Sequence, residues 1–174
     1  MLRRSFLCLL ATTAATDVFA LYDPPPQELL RFIPGTWSGT LTYRDWSKPD
    51  RLVKLPCRVN ASLMGPMSVS LSFLFDDGPS KQVYSYDRWL FDFAKREMVW
   101  VSGTDKEERS AYVIASASRT DAGNSITLTQ PANGKVHRQQ LVSSQQALQL
   151  TKVDVSGDGQ EIFRNAYELR RVDA

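Results

Sequence analysis

The stretch Gly35-Thr36-Trp37-Ser38-Gly39-Thr40-Leu41-Thr42-Tyr43 decides how this chain is read. Trp37, Gly39, Leu41 and Tyr43 fall on one face and Ser38, Thr40 and Thr42 on the other, the period of two of a half-buried strand. Gly39 inside the strand predicts a sharp bend or the close approach of another backbone.

Downstream the same alternation recurs. Residues 52–63 make a second strand, in which Pro56 demands an edge, a bulge or an unpaired position. Met67-Ser68-Val69-Ser70-Leu71-Ser72-Phe73-Leu74-Phe75 alternates most regularly. Further strands are expected over 82–93, 97–101, 110–118, 125–130, 135–142, 147–155 and 161–172. Asp76-Asp77-Gly78-Pro79, Gly123-Asn124, Asn133-Gly134 and Gly157-Asp158-Gly159 separate them with residues that favour turns. Short strands at this spacing, with no long helical pattern and no repeat, predict an all-β fold. Closing the meander removes its exposed edges. The expected architecture is a closed up-and-down antiparallel β-barrel of about ten strands.

Upstream of Gly35, residues 27–33 can make about two turns of helix, opened by Pro26 and ended by Pro34. Leu29, Leu30, Phe32 and Ile33 give it an apolar side. So short a helix holds only by packing on something else, and it reads as a cap over one end of the barrel.

Residues 1–20 read as a signal peptide. Arg3 and Arg4 precede the apolar run Phe6-Leu7-Cys8-Leu9-Leu10-Ala11, and Val18-Phe19-Ala20 supplies the cleavage site. The run falls short of the roughly 20 apolar residues that span a bilayer. Arg3-Arg4-Ser5-Phe6-Leu7 resembles the twin-arginine export signature, and both that route and the general secretory route stay open. Residues 21–174 are then a single domain, exported to the periplasm or secreted. Cleavage would remove Cys8 and leave Cys57 as the sole cysteine. Stability must therefore come from the core rather than from a disulfide. With 21 Lys and Arg against 19 Asp and Glu, and no basic cluster, nothing points to a nucleic-acid partner.

Few residues offer reactive chemistry. His137 is the one histidine; standing between Val136 and Arg138, it reads as an exposed strand residue. One histidine and one cysteine do not make a zinc site, and no Gly-x-Ser-x-Gly elbow accompanies a possible base. Asp154-Val155-Ser156-Gly157-Asp158-Gly159 is similar to the first half of a calcium loop. Its twelfth position is Asn165 and its flanks are strands, so a hairpin turn explains it better. No acid, base and nucleophile assemble, which predicts a protein without enzymatic activity, cofactor or metal.

Gly35-x-Trp37-x-Gly39 after a short helix resembles the entry motif of the calycins: lipocalins, fatty-acid-binding proteins and nitrobindin-like haem-binding barrels. The resemblance implies a barrel plugged at one end, with Trp37 at the floor beside Gly35. In lipocalins a last-strand arginine packs over that tryptophan; Arg164, Arg170 and Arg171 are the candidates, and Arg170 is assigned. The fatty-acid-binding Arg-x-Tyr is replaced by Arg164-Asn165-Ala166-Tyr167, whose spacing puts the two side chains on opposite faces.

The aromatic residues complete the expectation. Tyr43, Phe73, Phe75, Trp89, Phe91, Trp100 and Tyr112, with Phe93, either line a ligand cavity or fill the barrel. Tyr84 and Tyr86 share a face and supply hydroxyls to the interior or the exterior. The expected function is an exported, lipocalin-like protein holding a small apolar or amphipathic molecule. The alternatives are a solid-cored interaction or envelope module, and a haem-binding barrel.

Overall fold

The computed structural model describes residues 26–45, 47–48, 50–120 and 122–172. The expected signal segment lies outside them. After a helix α1 (Pro26–Leu30) come ten strands. They are β1 (Gly35–Arg44), β2 (Leu52–Gly65), β3 (Ser68–Asp76), β4 (Gln82–Asp92) and β5 (Glu97–Ser102), then β6 (Glu108–Thr120), β7 (Gly123–Ala132), β8 (Lys135–Ser143), β9 (Ala147–Val155) and β10 (Glu161–Arg171). Each pairs antiparallel with the next, and β10 returns to β1, closing the barrel. The all-β barrel expected from the alternation is the fold observed.

Closure depends on two glycines at the first strand. A Cβ on Gly39 would stand 2.0 Å from the carbonyl oxygen of Glu168 on β10, so only glycine lets β1 and β10 approach this closely. Gly35 has φ +142° and lies against the Arg171 guanidinium. Pro56 sits one residue beyond the last β2–β3 pair, Cys57 with Phe75, where that ladder has ended and no donor is called for.

The lower end, where β1 begins, is plugged. Trp37 is fully buried and its Nε1 donates to the Ile33 carbonyl at 2.9 Å. Arg171 lies over its ring at 4.2 Å and donates to the carbonyls of Phe32, Pro34 and Gln145. These contacts hold residues 31–34 in a turn, so the helix stops at Leu30 rather than running on to residue 33. The Asn124 side-chain amide donates to the Glu28 carbonyl at 2.7 Å and fixes α1 against β7. Leu29, Leu30 and Ile33 join Val59, Val69, Leu71, Ile126 and Leu148 in one core.

The assignment of Arg170 to the floor is corrected by the closing register. Trp37 pairs with Arg171 and Ser38 with Arg170. Residues opposite each other share a face, so Arg170 points outward with Ser38, where it is exposed.

Candidate functional site

The interior divides into two levels. In the lower half, the side chains expected from the aromatic pattern meet one another. Phe73 stacks on Phe75 at 5.7 Å, Phe91 on Phe93 at 5.5 Å, and Trp89 meets Trp100 edge-on at 5.3 Å. The void left among Val59, Leu71, Phe73, Trp89 and Leu148 is about 10 Å³, at most the space of one water. This half is solid.

Above it the packing opens. A cavity of about 300 Å³ is lined by Ser85, Asp87, Trp100, Ser102, Ser110, Tyr112, Gln139, Leu150, Lys152, Asn165 and Tyr167. These come from β4, β5, β6, β8, β9 and β10. Strand alternation places them: Asp87 shares the inward face of β4 with Trp89 and Phe91, and Lys152 that of β9 with Leu148 and Leu150. A larger depression, about 560 Å³, is an open groove on the outer wall across β1, β9 and β10, bordered by Ser38, Thr40, Glu168 and Arg170. The inner cavity is the candidate site because a buried carboxylate, Asp87, and a half-buried ammonium, Lys152, both border it.

Asp87 is buried, and that burial pushes its carboxyl up to about 6 against hydrogen bonds from Trp100 and Ser85. Burial also lifts the Tyr167 phenol, with Asp87 and Cys57 adding to the effect. Tyr112 is raised by burial and held by Gln139 and Ser110. Lys152 is lowered by burial and by the Arg164 charge, while Asp154 works the other way. Among the described residues neither Asp87 nor Lys152 makes an ion pair.

A polar cluster stands above Lys152 at the rim. The Nδ1 of His137 lies 2.6 Å from one Asp154 oxygen, and Arg164 Nη1 donates to the other at 3.0 Å. The β8–β9 register sets His137 opposite Asp154. A bulge between Phe163 and Asn165 makes Arg164 the extra residue of β10. The expectation of an exposed His137 is corrected: its side chain is 24% exposed and tied to a carboxylate that is 5% exposed. Asp154 likewise lies within β9, one residue before its end at Val155, rather than in the turn that follows.

Of the expected lining residues, Trp100 and Tyr112 border the cavity. Phe73, Phe75, Trp89 and Phe91 are core instead, and Tyr43 stands half-buried near the top of β1 outside the lining. Tyr84 is 70% exposed, and the Tyr86 hydroxyl lies against Met64 on the outer wall. Sequence reasoning missed Asp87, Gln139, Lys152 and Asn165. The available signal was the inward face itself, where each polar residue alternates with apolar ones. Among the described residues no group of three or more His, Cys, Asp or Glu could hold a metal ion.

No protein-family model matches the chain, and no curated protein does. One solved structure it resembles is the S-type phycobiliprotein lyase CPES from Guillardia theta. The TM-score is 0.56 at 8% identity, over 85% of this chain and 92% of that one. At that identity the likeness speaks for the barrel alone. It nonetheless overturns the expectation of a protein without enzymatic activity: a barrel of this form is described as a lyase, so the missing acid–base motif is no ground for exclusion.

Proposed function

We propose that this protein binds a small amphipathic molecule in the upper half of the barrel, its ring or hydrocarbon portion against Trp100, Tyr112, Leu150 and Tyr167. The observation carrying this reading is a cavity of about 300 Å³ walled by polar groups and by two charged ones, Asp87 and Lys152, that make no ion pair among the described residues. Burying a charge without a partner is costly, and a ligand that completes its interactions offsets that cost. The volume sits at the lower end of small-molecule sites, which favours a compact ligand over a long acyl chain. Export is part of the same reading, supported by Arg3-Arg4 and the apolar run after them.

The resemblance to a phycobiliprotein lyase fits a barrel that handles a small molecule.

Native mass spectrometry of protein purified from its own host tests the proposal. A retained small-molecule adduct is expected, and Leu150→Trp, which fills the cavity, should abolish it. Wild-type protein that is bare in every preparation, together with unchanged behaviour of Leu150→Trp, would overturn the proposal.

A further inference from the structure

Among the described residues, Asp87 and Lys152 are the two charged ones that line the cavity. They stand on β4 and β9, which are five positions apart in either direction round the ten-strand wall. They therefore face each other across the bore. Neither makes an ion pair among the described residues, so the two charges do not neutralise each other directly.

Each end of this axis has a consistent sign. Around Lys152, Gln139 and Asn165 are its register partners on β8 and β10, and both are cavity-lining amides. The nearby Asp154 carboxylate favours the ammonium through space, but its hydrogen bonds go to His137 and Arg164 and it makes no ion pair with Lys152. Around Asp87 stand Ser85 on its own strand, the Trp100 indole on β5 and the Tyr167 phenol on β10. No lysine or arginine lines that wall. Between the ends run the aromatic surfaces of Trp100, Tyr112 and Tyr167, with Trp100 and Tyr112 centred 6.5 Å apart.

Building on the proposed small-molecule site, we infer that its ligand is dipolar: an anionic group meets Lys152, an ammonium or other strong hydrogen-bond donor meets Asp87, and a flat apolar body spans the aromatic residues between. Either contact alone would leave the other charge, buried Asp87 or half-buried Lys152, without an ion-pair partner, so a molecule bearing both groups gains at both ends. A fatty acid, with one polar end, satisfies half of the site.

Three matched probes test this by calorimetry on the full chain: 4-(aminomethyl)benzoate, with both charges, 4-methylbenzoate, with the carboxylate alone, and 4-methylbenzylamine, with the ammonium alone. The first should bind at least ~10-fold more tightly than either of the others. Lys152→Gln should reduce it to the level of 4-methylbenzylamine, and Asp87→Asn to that of 4-methylbenzoate. The double exchange Asp87→Lys with Lys152→Asp should restore the preference for the two-ended probe. The wild-type comparison stands whether or not the variants fold. Equal binding of all three probes would overturn the dipolar assignment and leave the small-molecule site standing. Absence of binding by any probe at ~1 mM would overturn both.

Discussion

Arg171 lies 4.2 Å over the ring of Trp37 while its guanidinium reaches the carbonyls of Phe32, Pro34 and Gln145, so one side chain from the last strand ties together the floor, the turn after the helix and the β8–β9 loop. A cation on an aromatic face contributes about 0.5–2 kcal/mol, and each charge-assisted hydrogen bond about 1.5–3 kcal/mol where water cannot substitute. Part of that gain is recovered by solvent at the half-exposed edge. Arg171→Ala is therefore expected to cost about 3 kcal/mol in urea melts, with Arg171→Lys recovering part. Arg170→Ala, on the outer wall, should stay within about 0.5 kcal/mol of wild type. A reversed ranking would mean that the floor is held another way.

Gly39 and Gly78 separate steric closure from backbone conformation. A Cβ on Gly39 meets the Glu168 carbonyl at 2.0 Å, whereas one on Gly78, at φ +113°, meets nothing within 4 Å. Gly39→Ala must part β1 from β10 and should cost about 2–4 kcal/mol. Gly78→Ala should cost only about 1 kcal/mol, from strain at positive φ. Thermal denaturation of the two variants side by side reads the difference; equal losses would contradict the tight closure.

Stability should respond to pH through Asp87 in the sense opposite to that of a paired carboxylate. Burial raises its carboxyl from 3.8 to about 6, so the folded chain holds a proton there that the unfolded chain has released. The associated stability is complete below 3.8 and is lost as pH rises through about 6. The groups beside it, Ser85, Trp100 and Tyr167, bring no cation, and Lys152, across the bore, makes no ion pair with it among the described residues. Asp87→Asn should stabilise the fold at pH 7 by on the order of 2 kcal/mol, and by much less at pH 4. Destabilisation by Asp87→Asn at pH 7 would show that the buried carboxylate is compensated.

Cys57 should be chemically silent in the folded protein. Its thiol is 3% exposed, and burial pushes it up to about 11. Since the thiolate is the reactive form, labelling by a disulfide reagent at pH 8, measured in a Cys8→Ser background, should be at least ~10²-fold slower than in urea. Comparable rates would place the thiol in solvent and β2 out of register.

The sequence carried the strands and the plug more openly than the site. Alternation such as Val69-Leu71-Phe73-Phe75 against Ser68-Ser70-Ser72-Leu74 is a local property, and turn residues mark its limits. Trp37 was visible because its tryptophan follows a helix and a glycine at the first strand. The choice between Arg170 and Arg171 was not, because it depends on the β1–β10 register, a pairing of residues about 130 apart that single-strand patterns do not encode. The cavity was obscured for a related reason. Phe73, Phe91 and Trp100 look alike along their strands, yet the first two fill the lower barrel and the third borders the open space, since depth depends on all ten strands together. Asp87 and Lys152 were legible as inward-facing residues, but not as a facing pair. Likewise, His137 and Asp154 meet only through the β8–β9 ladder.

The most direct test of a ligand site in the upper barrel is the set of indole N–H resonances from the four tryptophans during titration with 4-(aminomethyl)benzoate. The Trp100 signal, from the cavity wall, should move with saturation while that of Trp37, sealed at the floor, stays in place. A Trp100 signal that stays in place at saturating probe would contradict a binding site inside the barrel.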